Sequence, residues 1–155
     1  MFEFIGRNDR PIDDKGRLAV PKEFLDELEG PDREALFIAP GRGCIWLVPP
    51  SYFRGEFSRG VSKRFQAAGA NPDQFFHNCQ RRTLDKAGRI LIDHLARELA
   101  GLPAPDGPEK VNVVVCGSGK YIQVWEKGAY ERSAIPPAQL AQYLPVSGNF
   151  DGDGA

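Results

Sequence analysis

An internal repeat restricts the folds open to this 155-residue chain more than any other feature of its sequence. Residues 13–20 read DDKGRLAV and residues 85–92 read DKAGRILI, so that Asp13 and Asp85 begin two copies 72 positions apart. Both copies follow the pattern D-x-x-G-R, then an apolar residue, any residue and a second apolar residue. Such a repeat predicts two similar structural units.

A second pair of matching segments follows in the same order. Residues 40–48 (PGRGCIWLV) and residues 116–125 (CGSGKYIQVW) each contain a G-x-G beside apolar runs. We interpret each G-x-G as the turn of a β-hairpin, with Gly117-Ser118-Gly119 as the second turn. The hairpin strands are predicted at 35–39, 45–48, 111–116 and 121–125. A unit of about 40 residues is therefore used twice.

Each copy of the D-x-x-G-R pattern predicts a tight turn followed by a strand. Gly16 and Gly88 allow the positive φ that such a turn requires. The apolar alternation after each arginine is typical of a half-buried strand. A short helix is predicted after each strand, with apolar residues along its core-facing side. Those residues are Phe24, Leu25 and Leu28 in the first helix and Leu95, Leu99 and Leu102 in the second.

Proline, aspartate and glycine mark the expected ends of the helices. Pro21 and Asp93 are predicted to begin the two short helices. Gly30 and Gly101 are predicted to end them. Pro136-Pro137 is predicted to open a last short helix near the end of the chain.

A different kind of segment separates the two halves. Apolar residues recur every three or four positions from Phe53 to Ala68, which predicts an amphipathic helix, although Gly55 and Gly60 weaken its propensity. Asn71-Pro72 is predicted to begin a second helix. The predicted divisions are a first half at 1–53, a helical connector at 54–82, a second half at 83–145 and a flexible tail at 146–155.

The charge balance conceals an uneven distribution. The chain has 20 basic and 21 acidic side chains, a net charge of −1. Residues 1–53 carry 7 basic and 10 acidic side chains, residues 54–99 carry 9 and 5, and residues 100–155 carry 4 and 6. The basic middle is consistent with a solvated helix face or with a surface for an anionic partner. The total excludes only an evenly basic, histone-like binder.

The sequence also indicates a compartment. Its three cysteines form no CxxC and cannot all pair, which favours a reducing environment. The first residues lack the apolar run of a signal peptide, and no stretch approaches the roughly 18 apolar residues of a membrane span. We therefore expect a cytoplasmic protein without a membrane segment.

No pattern of residues supports catalysis or cofactor binding. The chain contains no G-x-S-x-G, H-E-x-x-H or G-x-x-x-x-G-K-[ST] motif. His77 and Cys79 form the only close His/Cys pair, and no second pair completes a tetrahedral metal site. We expect no metal, no cofactor, no small-molecule substrate and no enzymatic activity.

The repeated aspartate and arginine leave two interpretations open. Asp13 and Arg17 bracket the first turn, and Asp85 and Arg89 bracket the second. Each aspartate could accept backbone N–H bonds and orient its arginine, so that the pair only stabilises the turn. Alternatively, each arginine could present planar donors to a phosphate or to the O6/N7 edge of guanine.

The doubled motif resembles a known family. Residues 13–21 (DDKGRLAVP), residues 85–92 and the two-copy layout are similar to MraZ, the bacterial transcriptional regulators of the division and cell wall gene cluster. That family is part of the AbrB/SpoVT-like swapped-hairpin superfamily, most of whose domains carry one copy and dimerise. The resemblance extends over residues 1–145.

The resemblance implies a fold and a set of site residues. The fold is mainly β with short helices, a double-split β-barrel in which two tandem copies in one chain form a pseudo-dimer. The DNA-binding residues that it implies are Lys15, Arg17, Lys86 and Arg89. The residues that it implies position the turns are Asp13, Gly16, Asp85 and Gly88. Ala87 stands where the first copy has Lys15, which makes that point of the second copy less basic.

The resemblance also implies a function and partners. The expected function is that of a sequence-specific DNA-binding repressor that binds direct repeats in double-stranded promoter DNA. The expected assembly is a ring-shaped homo-oligomer, an octamer or a dodecamer, associated with the nucleoid. The alternative is an antitoxin-like or other protein–protein interaction module of the AbrB superfamily.

Overall fold

A computed structural model describes residues 3–104 and 110–150 of the chain. The described residues form one eight-stranded antiparallel sheet with short helices, in the strand order β5-β3-β4-β8-β7-β1-β2-β6. The strands are β1 (Phe4–Ile12), β2 (Arg17–Ala19), β3 (Ala35–Pro40), β4 (Ile45–Val48), β5 (Gln80–Thr83), β6 (Arg89–Leu91), β7 (Val111–Gly119) and β8 (Ile122–Glu126). The sheet curls into a nearly closed barrel.

The two halves exchange strands throughout this sheet. β1 of the first half pairs with β7 of the second along nine residues, from Phe4 opposite Gly119 to Ile12 opposite Val111. β5 lies at the junction of the predicted helical connector and the second half, where a strand was not predicted, and pairs with β3 of the first half, while β2 pairs with β6. Because each half supplies strands to the other's hairpin, the expected swapped-hairpin pseudo-dimer with a split β-barrel is confirmed.

The core explains why the repeat carries apolar residues at alternate positions. Leu18 and Val20 of the first copy and Ile90 and Ile92 of the second are all buried. They point inward because side chains alternate between the two faces of a strand. Their burial joins the two copies in one core with Phe4, Phe24, Leu36, Ile38, Ile45, Leu47, Val113, Val115, Ile122 and Val124.

The first short helix, α1 (Lys22–Leu25), begins after Pro21 as predicted but ends well before Gly30. The prediction that Gly30 ends it is wrong. Gly30 instead begins a 3-10 helix at Gly30–Arg33 after the extended Glu29, and Pro31 is in its first turn, where the N–H that proline lacks is not needed.

The second short helix, α5 (His94–Ala100), has the predicted ends but a different buried face. Asp93 caps it, accepting a bond from the Ala96 N–H at 3.0 Å, and Gly101 ends it in the left-handed conformation. The buried side chains within the helix belong to Ala96, Arg97 and Ala100. Of the predicted leucines, Leu102 is buried in the core just after the helix, whereas Leu95 and Leu99 are only half-buried. The small alanines let the helix approach the sheet closely, which the leucine spacing did not predict.

The connector forms helices against the outside of the sheet. Three consecutive pieces, α2 (Pro50–Tyr52), a π-helical turn at Phe53–Phe57 and α3 (Ser58–Ala67), confirm the predicted amphipathic helix, which starts slightly earlier than expected. Gly55 departs from helical geometry at the π-helical turn. Stacking of Phe53 on Phe37 of β3, with ring centroids 4.1 Å apart, anchors this segment.

The second connector helix, α4 (Asp73–His77), begins just after Asn71-Pro72. The Asn71 side chain accepts a bond from the Asp73 N–H at 2.9 Å, which marks the start of the helix as the sequence indicated. Phe75 of this helix packs against Phe57 and Phe65, so the two connector helices share one aromatic cluster.

The C-terminal half differs from the prediction in two places. Residues 117–119 are strand rather than turn, because β1 is long enough to pair with them and the chain reverses only after Gly119. An additional helix, α6 (Lys127–Ser133), begins where Glu126 accepts bonds from the Gly128 and Ala129 N–H groups. The last predicted helix is present as a 3-10 helix at Pro137–Tyr143.

Two sequence predictions concern a tail partly outside the described residues and the absence of a membrane segment. Residues 105–109, between α5 and β7, and the end of the predicted tail, residues 151–155, lie outside the described residues. None of the described helices has the length and apolar character needed to cross a membrane.

The turn glycines give a first prediction. Gly88 has φ +76°, and a Cβ there would lie 2.4 Å from Leu25 Cδ1. We expect Gly88→Ala to lower the free energy of unfolding by at least about 1–2 kcal/mol. Gly60, in α3 with no atom within 4 Å of its Cβ position, is the matched control. Gly60→Ala should be neutral or stabilising by up to about 1 kcal/mol in urea denaturation; equal effects of the two changes would contradict the argument.

Candidate nucleic-acid interface

The first D-x-x-G-R segment folds into a turn organised by one carboxylate. Asp13 Oδ1 accepts hydrogen bonds from the backbone N–H of Lys15 at 2.9 Å and of Arg17 at 2.8 Å. Its other oxygen, Oδ2, accepts a bond from Arg17 Nε at 3.0 Å. The Gly16 N–H donates to the Asp13 carbonyl at 3.0 Å, which closes the turn. The aspartate therefore holds both the backbone and the arginine side chain.

The second segment repeats this geometry. Asp85 Oδ1 accepts bonds from the backbone N–H of Ala87 and of Arg89, both at 2.9 Å. Asp85 Oδ2 accepts a bond from Arg89 Nε at 2.8 Å, and the Gly88 N–H donates to the Asp85 carbonyl at 2.9 Å. Ala87 can replace a lysine here because only its backbone takes part.

The pairing of β2 with β6 brings the two turns together. Leu18 lies opposite Ile90 at the centre of the pair. Just beyond the strands, the Val20 N–H donates to the Gly88 carbonyl at 3.0 Å and the Ile92 N–H donates to the Gly16 carbonyl at 2.8 Å. Each turn is thus bonded to the strand of the other half, and the two form one ribbon.

The arginines lie on the outer face of this ribbon. Arg17 is opposite Leu91 and Arg89 is opposite Ala19, so these four side chains share the face that Leu18 and Ile90 do not use. Ala19 and Leu91 are exposed, and the two arginine side chains keep 30% and 35% of their surface. The outer face therefore presents two partly exposed guanidinium groups separated by small or apolar side chains.

Each guanidinium keeps donors for a ligand. The aspartates bond only Nε of Arg17 and Arg89. In the described parts of the chain, the only close contact of a terminal arginine nitrogen here is that of Arg17 Nη1 with Asp85 Oδ2, at 4.0 Å. Such a geometry can offer terminal N–H groups to a phosphate or a base edge while Nε stays fixed.

Two lysines flank the arginines. Lys15 and Lys86 are exposed, and neither forms an ion pair within residues 3–104 and 110–150. The structure thus brings all four residues predicted for DNA contact to neighbouring turns. Asp14, next to Lys15, is exposed as well and reduces the positive charge of the first turn.

Hydrogen bonding keeps both aspartates ionised. The backbone N–H of Arg89 lowers the pKa of Asp85 below its ordinary value, with further help from the Arg89 side chain and the Ala87 N–H, against a smaller effect of burial. For Asp13, burial alone would raise the pKa, but the bonds from Arg17 and the Lys15 N–H together lower it. Charged aspartates are the stronger acceptors for these donors.

The remaining candidate residues from the sequence are His77 and Cys79. Within the described residues, no group of histidine, cysteine and acidic side chains could hold a metal ion. Burial raises the pKa of Cys44 to about 12 and that of Cys79 to about 11, so both thiols stay protonated near neutral pH. Cys79 donates a bond to the Phe75 carbonyl at 3.4 Å, and therefore belongs to the packing of the connector.

The sequence pattern did not predict that an arginine would be buried next to the first turn. Arg97 of α5 is buried, with only 4% of its surface exposed. The spacing of the leucines in that helix places Arg97 on the side expected to face solvent, as is usual for an arginine on an amphipathic helix. The repeat offset of 72 residues aligns Arg97 with Leu25, which was predicted to face the core, and this correspondence is the sequence feature that indicates its burial.

The turn aspartates predict a pH dependence. Their pKa values are lower in the folded chain than the unfolded value of about 3.9, so their contribution to stability is present above about pH 4 and is lost as the pH falls below it. We expect Asp13→Asn and Asp85→Asn to make the melting temperature less sensitive to pH between about 5 and 2. Asp14→Asn is the control and should keep the wild-type slope; equal slopes for all three variants would contradict the prediction.

Comparison with known proteins agrees with the doubled motif. No family model matches the chain. Several proteins named transcriptional regulator MraZ are similar to it along most of its length. The protein from Corynebacterium urealyticum is 32% identical over 145 residues, which cover 89% of this chain and 92% of that protein.

Two further relatives extend the comparison. The protein from Salinispora tropica is 30% identical over 131 residues, or 83% of this chain and 84% of that protein. The protein from Corynebacterium diphtheriae is 29% identical over 156 aligned positions, or 97% of this chain and 98% of that protein. With the swapped-hairpin barrel and its paired turns, these similarities show that the chain belongs to the MraZ family of transcriptional regulators.

Proposed function

We propose that this chain is a sequence-specific DNA-binding repressor of the division and cell wall gene cluster. In this proposal it binds direct repeats in promoter DNA as a ring-shaped homo-oligomer. The observation that carries the proposal is the pair of matching turns, which lie side by side and orient Arg17 and Arg89 outward. Membership of the MraZ family of transcriptional regulators supports it.

The lysines and the arginines of the turns would make different kinds of contact with DNA. Lys15 and Lys86 are flexible point charges suited to phosphate oxygens. Arg17 and Arg89 are held at Nε, so their terminal nitrogens can make a bidentate contact with guanine or phosphate at low entropic cost. Phosphate contacts position the protein, and base contacts select the sequence.

A ring would supply the affinity that one chain lacks. A single protomer offers four basic side chains on these turns, few for tight binding at physiological salt. Copies joined in a ring engage successive repeats together, and linked sites gain avidity without new contacts. Assembly through heterologous interfaces closes such a ring.

Only the exposed turns need be basic, so a net charge of −1 is compatible with DNA binding. Bound upstream of a start site, the ring would compete with RNA polymerase.

A protein–protein module is the second candidate. The segment at 137–146 exposes apolar side chains, which is the observation that favours a protein partner. The exposed residues are Leu140, Tyr143, Leu144 and Val146. An antitoxin-like chain would bind a partner protein through this segment, and removing residues 137–146 would abolish that complex while leaving DNA binding by the turns intact.

Arginine substitution tests the DNA surface directly. We expect Arg17→Ala to abolish specific binding to DNA from immediately upstream of this chain's own coding sequence, because terminal donors of the first turn are lost. Arg59→Ala, an exposed arginine on α3, is the control and should bind as the wild type does. Gel shift and circular dichroism measure binding and folding. Loss of fold or of assembly in Arg17→Ala would show instead that the Asp–Arg pair is only structural.

Salt dependence tests the electrostatic part of the proposal. The logarithm of the binding constant should fall linearly with the logarithm of salt concentration, with a slope of about −0.9 for each phosphate contact. Lys86→Ala should reduce the magnitude of this slope by about 1 per DNA-contacting protomer. Affinity that does not change with salt would exclude phosphate contacts as the source of binding.

Light scattering tests the assembly. A ring predicts a solution mass that is a multiple of 17.1 kDa at micromolar protein concentration. A mass near that of one chain, both with and without DNA, would contradict the ring.

A further inference from the structure

A buried arginine beneath the first turn has no acidic partner among residues 3–104 and 110–150. Arg97 Nε donates to the Ile92 carbonyl at 3.2 Å, and Nη1 donates to the Pro103 carbonyl at 3.2 Å. Both acceptors are neutral, and among the described residues no carboxylate lies within ion-pair distance of this guanidinium. Carbonyl dipoles offset the loss of solvation only in part, so within the part of the chain that the structure describes the buried positive charge of Arg97 is not neutralised by a carboxylate.

The charge lies directly against the turn. Arg97 Nη2 is 3.6 Å from the point where a Cβ of Gly16 would be. Ile92 links the two groups, because its N–H donates to the Gly16 carbonyl while its own carbonyl accepts from Arg97. The guanidinium therefore sits immediately behind the backbone that joins Lys15 to Arg17.

The equivalent place under the second turn is apolar. Leu25 lies 72 positions before Arg97 in the repeat, and its Cδ1 is 2.4 Å from the Cβ position of Gly88. Because the halves exchange strands, the helix of each half supports the turn of the other. One turn thus rests on a hydrocarbon side chain and the other on a cation.

The two turns also differ in their own charge. Residues 13–17 contain Asp13, Asp14, Lys15 and Arg17, which sum to zero, whereas residues 85–89 contain Asp85, Lys86 and Arg89, which sum to +1. The surroundings of the second turn add to this difference. Lys22, Asp26 and Arg33 lie beside that turn. The Lys22–Asp26 ion pair, at 2.9 Å, is neutral, so the added charge is that of Arg33, which donates to the Leu25 carbonyl at 3.0 Å. The first turn would be the poorer site for an anion without Arg97.

We propose that Arg97 is a positioning residue whose buried charge offsets Asp14 and makes the first turn as attractive to DNA phosphate as the second. This inference rests on the proposed function of the turns. In this proposal Arg97 does not contact DNA. It positions the backbone at Gly16 through Ile92, and its positive charge raises the electrostatic potential at the surface of the first turn. Salt screens a charge in the protein interior much less than it screens an exposed lysine. The guanidinium can therefore attract a phosphate that lies on the outer side of the turn.

Two substitutions at Arg97 separate charge from structure. Arg97→Lys and Arg97→Gln both keep side-chain N–H donors for the backbone carbonyls, but only lysine carries a positive charge. With DNA from upstream of the coding sequence as the probe, we expect Arg97→Gln to bind about two- to fivefold more weakly than the wild type. Arg97→Lys should bind within about twofold of the wild type, and the two variants should have similar melting temperatures.

A double-mutant cycle shows which turn is affected. The loss of affinity in Arg97→Gln should be reduced when the first turn already carries Lys15→Ala, because the two charges act on the same phosphates. It should be undiminished in Lys86→Ala, the matched control on the second turn. Asp14→Asn should return Arg97→Gln to wild-type affinity.

The outcomes are distinguishable. Equal affinity of wild type, Arg97→Gln and Arg97→Lys would overturn this inference and leave the proposed function standing. An equal loss in both variants, with lowered melting temperatures and no dependence on Lys15, would assign Arg97 a purely structural role. Failure of the wild type to bind the DNA at any salt concentration would overturn the proposed function, and this inference with it.

Discussion

The pairing of β2 with β6 is the contact on which the rest of the structure depends. Each strand is only three residues long, yet Leu18 and Ile90 at its centre are both fully buried. A one-residue slip of either strand would move all of its side chains to the other face, exposing its central apolar residue and turning its arginine inward. The apolar core therefore holds the register, and the register decides that Arg17 and Arg89 face outward.

The two interpretations of the repeated Asp–Arg pair are compatible in this structure. Asp13 divides its oxygens, with Oδ1 on backbone N–H groups and Oδ2 on Arg17 Nε. Asp85 does the same for the second turn. A structural pair that uses only Nε orients the guanidinium and leaves its outer nitrogens available. The carboxylate that stabilises the turn is thus also the group that prepares the arginine for a ligand.

The repeat is symmetric in its backbone but not in its chemistry. The turns have nearly the same hydrogen-bond lengths, while Asp14, Ala87, Leu25 and Arg97 break the equivalence of their charges. A chain that carries both copies can tolerate such differences, since each copy has only one partner to fit. A homodimer with a single copy would have to place the same residue under both turns.

The sequence by itself determined the features that rest on local interactions. The repeated turns, the alternation after Arg17 and Arg89, the Asp93 cap and the Gly101 helix end all follow from bonds between residues close in the chain. The resemblance to MraZ then indicated the exchange between halves.

Only the tertiary structure decided the features that rest on distant partners. Residues 117–119 became strand because β1 lies beside them, and α5 buried Ala96 and Ala100 because small side chains let it lie close to the sheet. The position of Arg97 under a turn of the other half is a contact between residues about 80 positions apart, which no local pattern encodes.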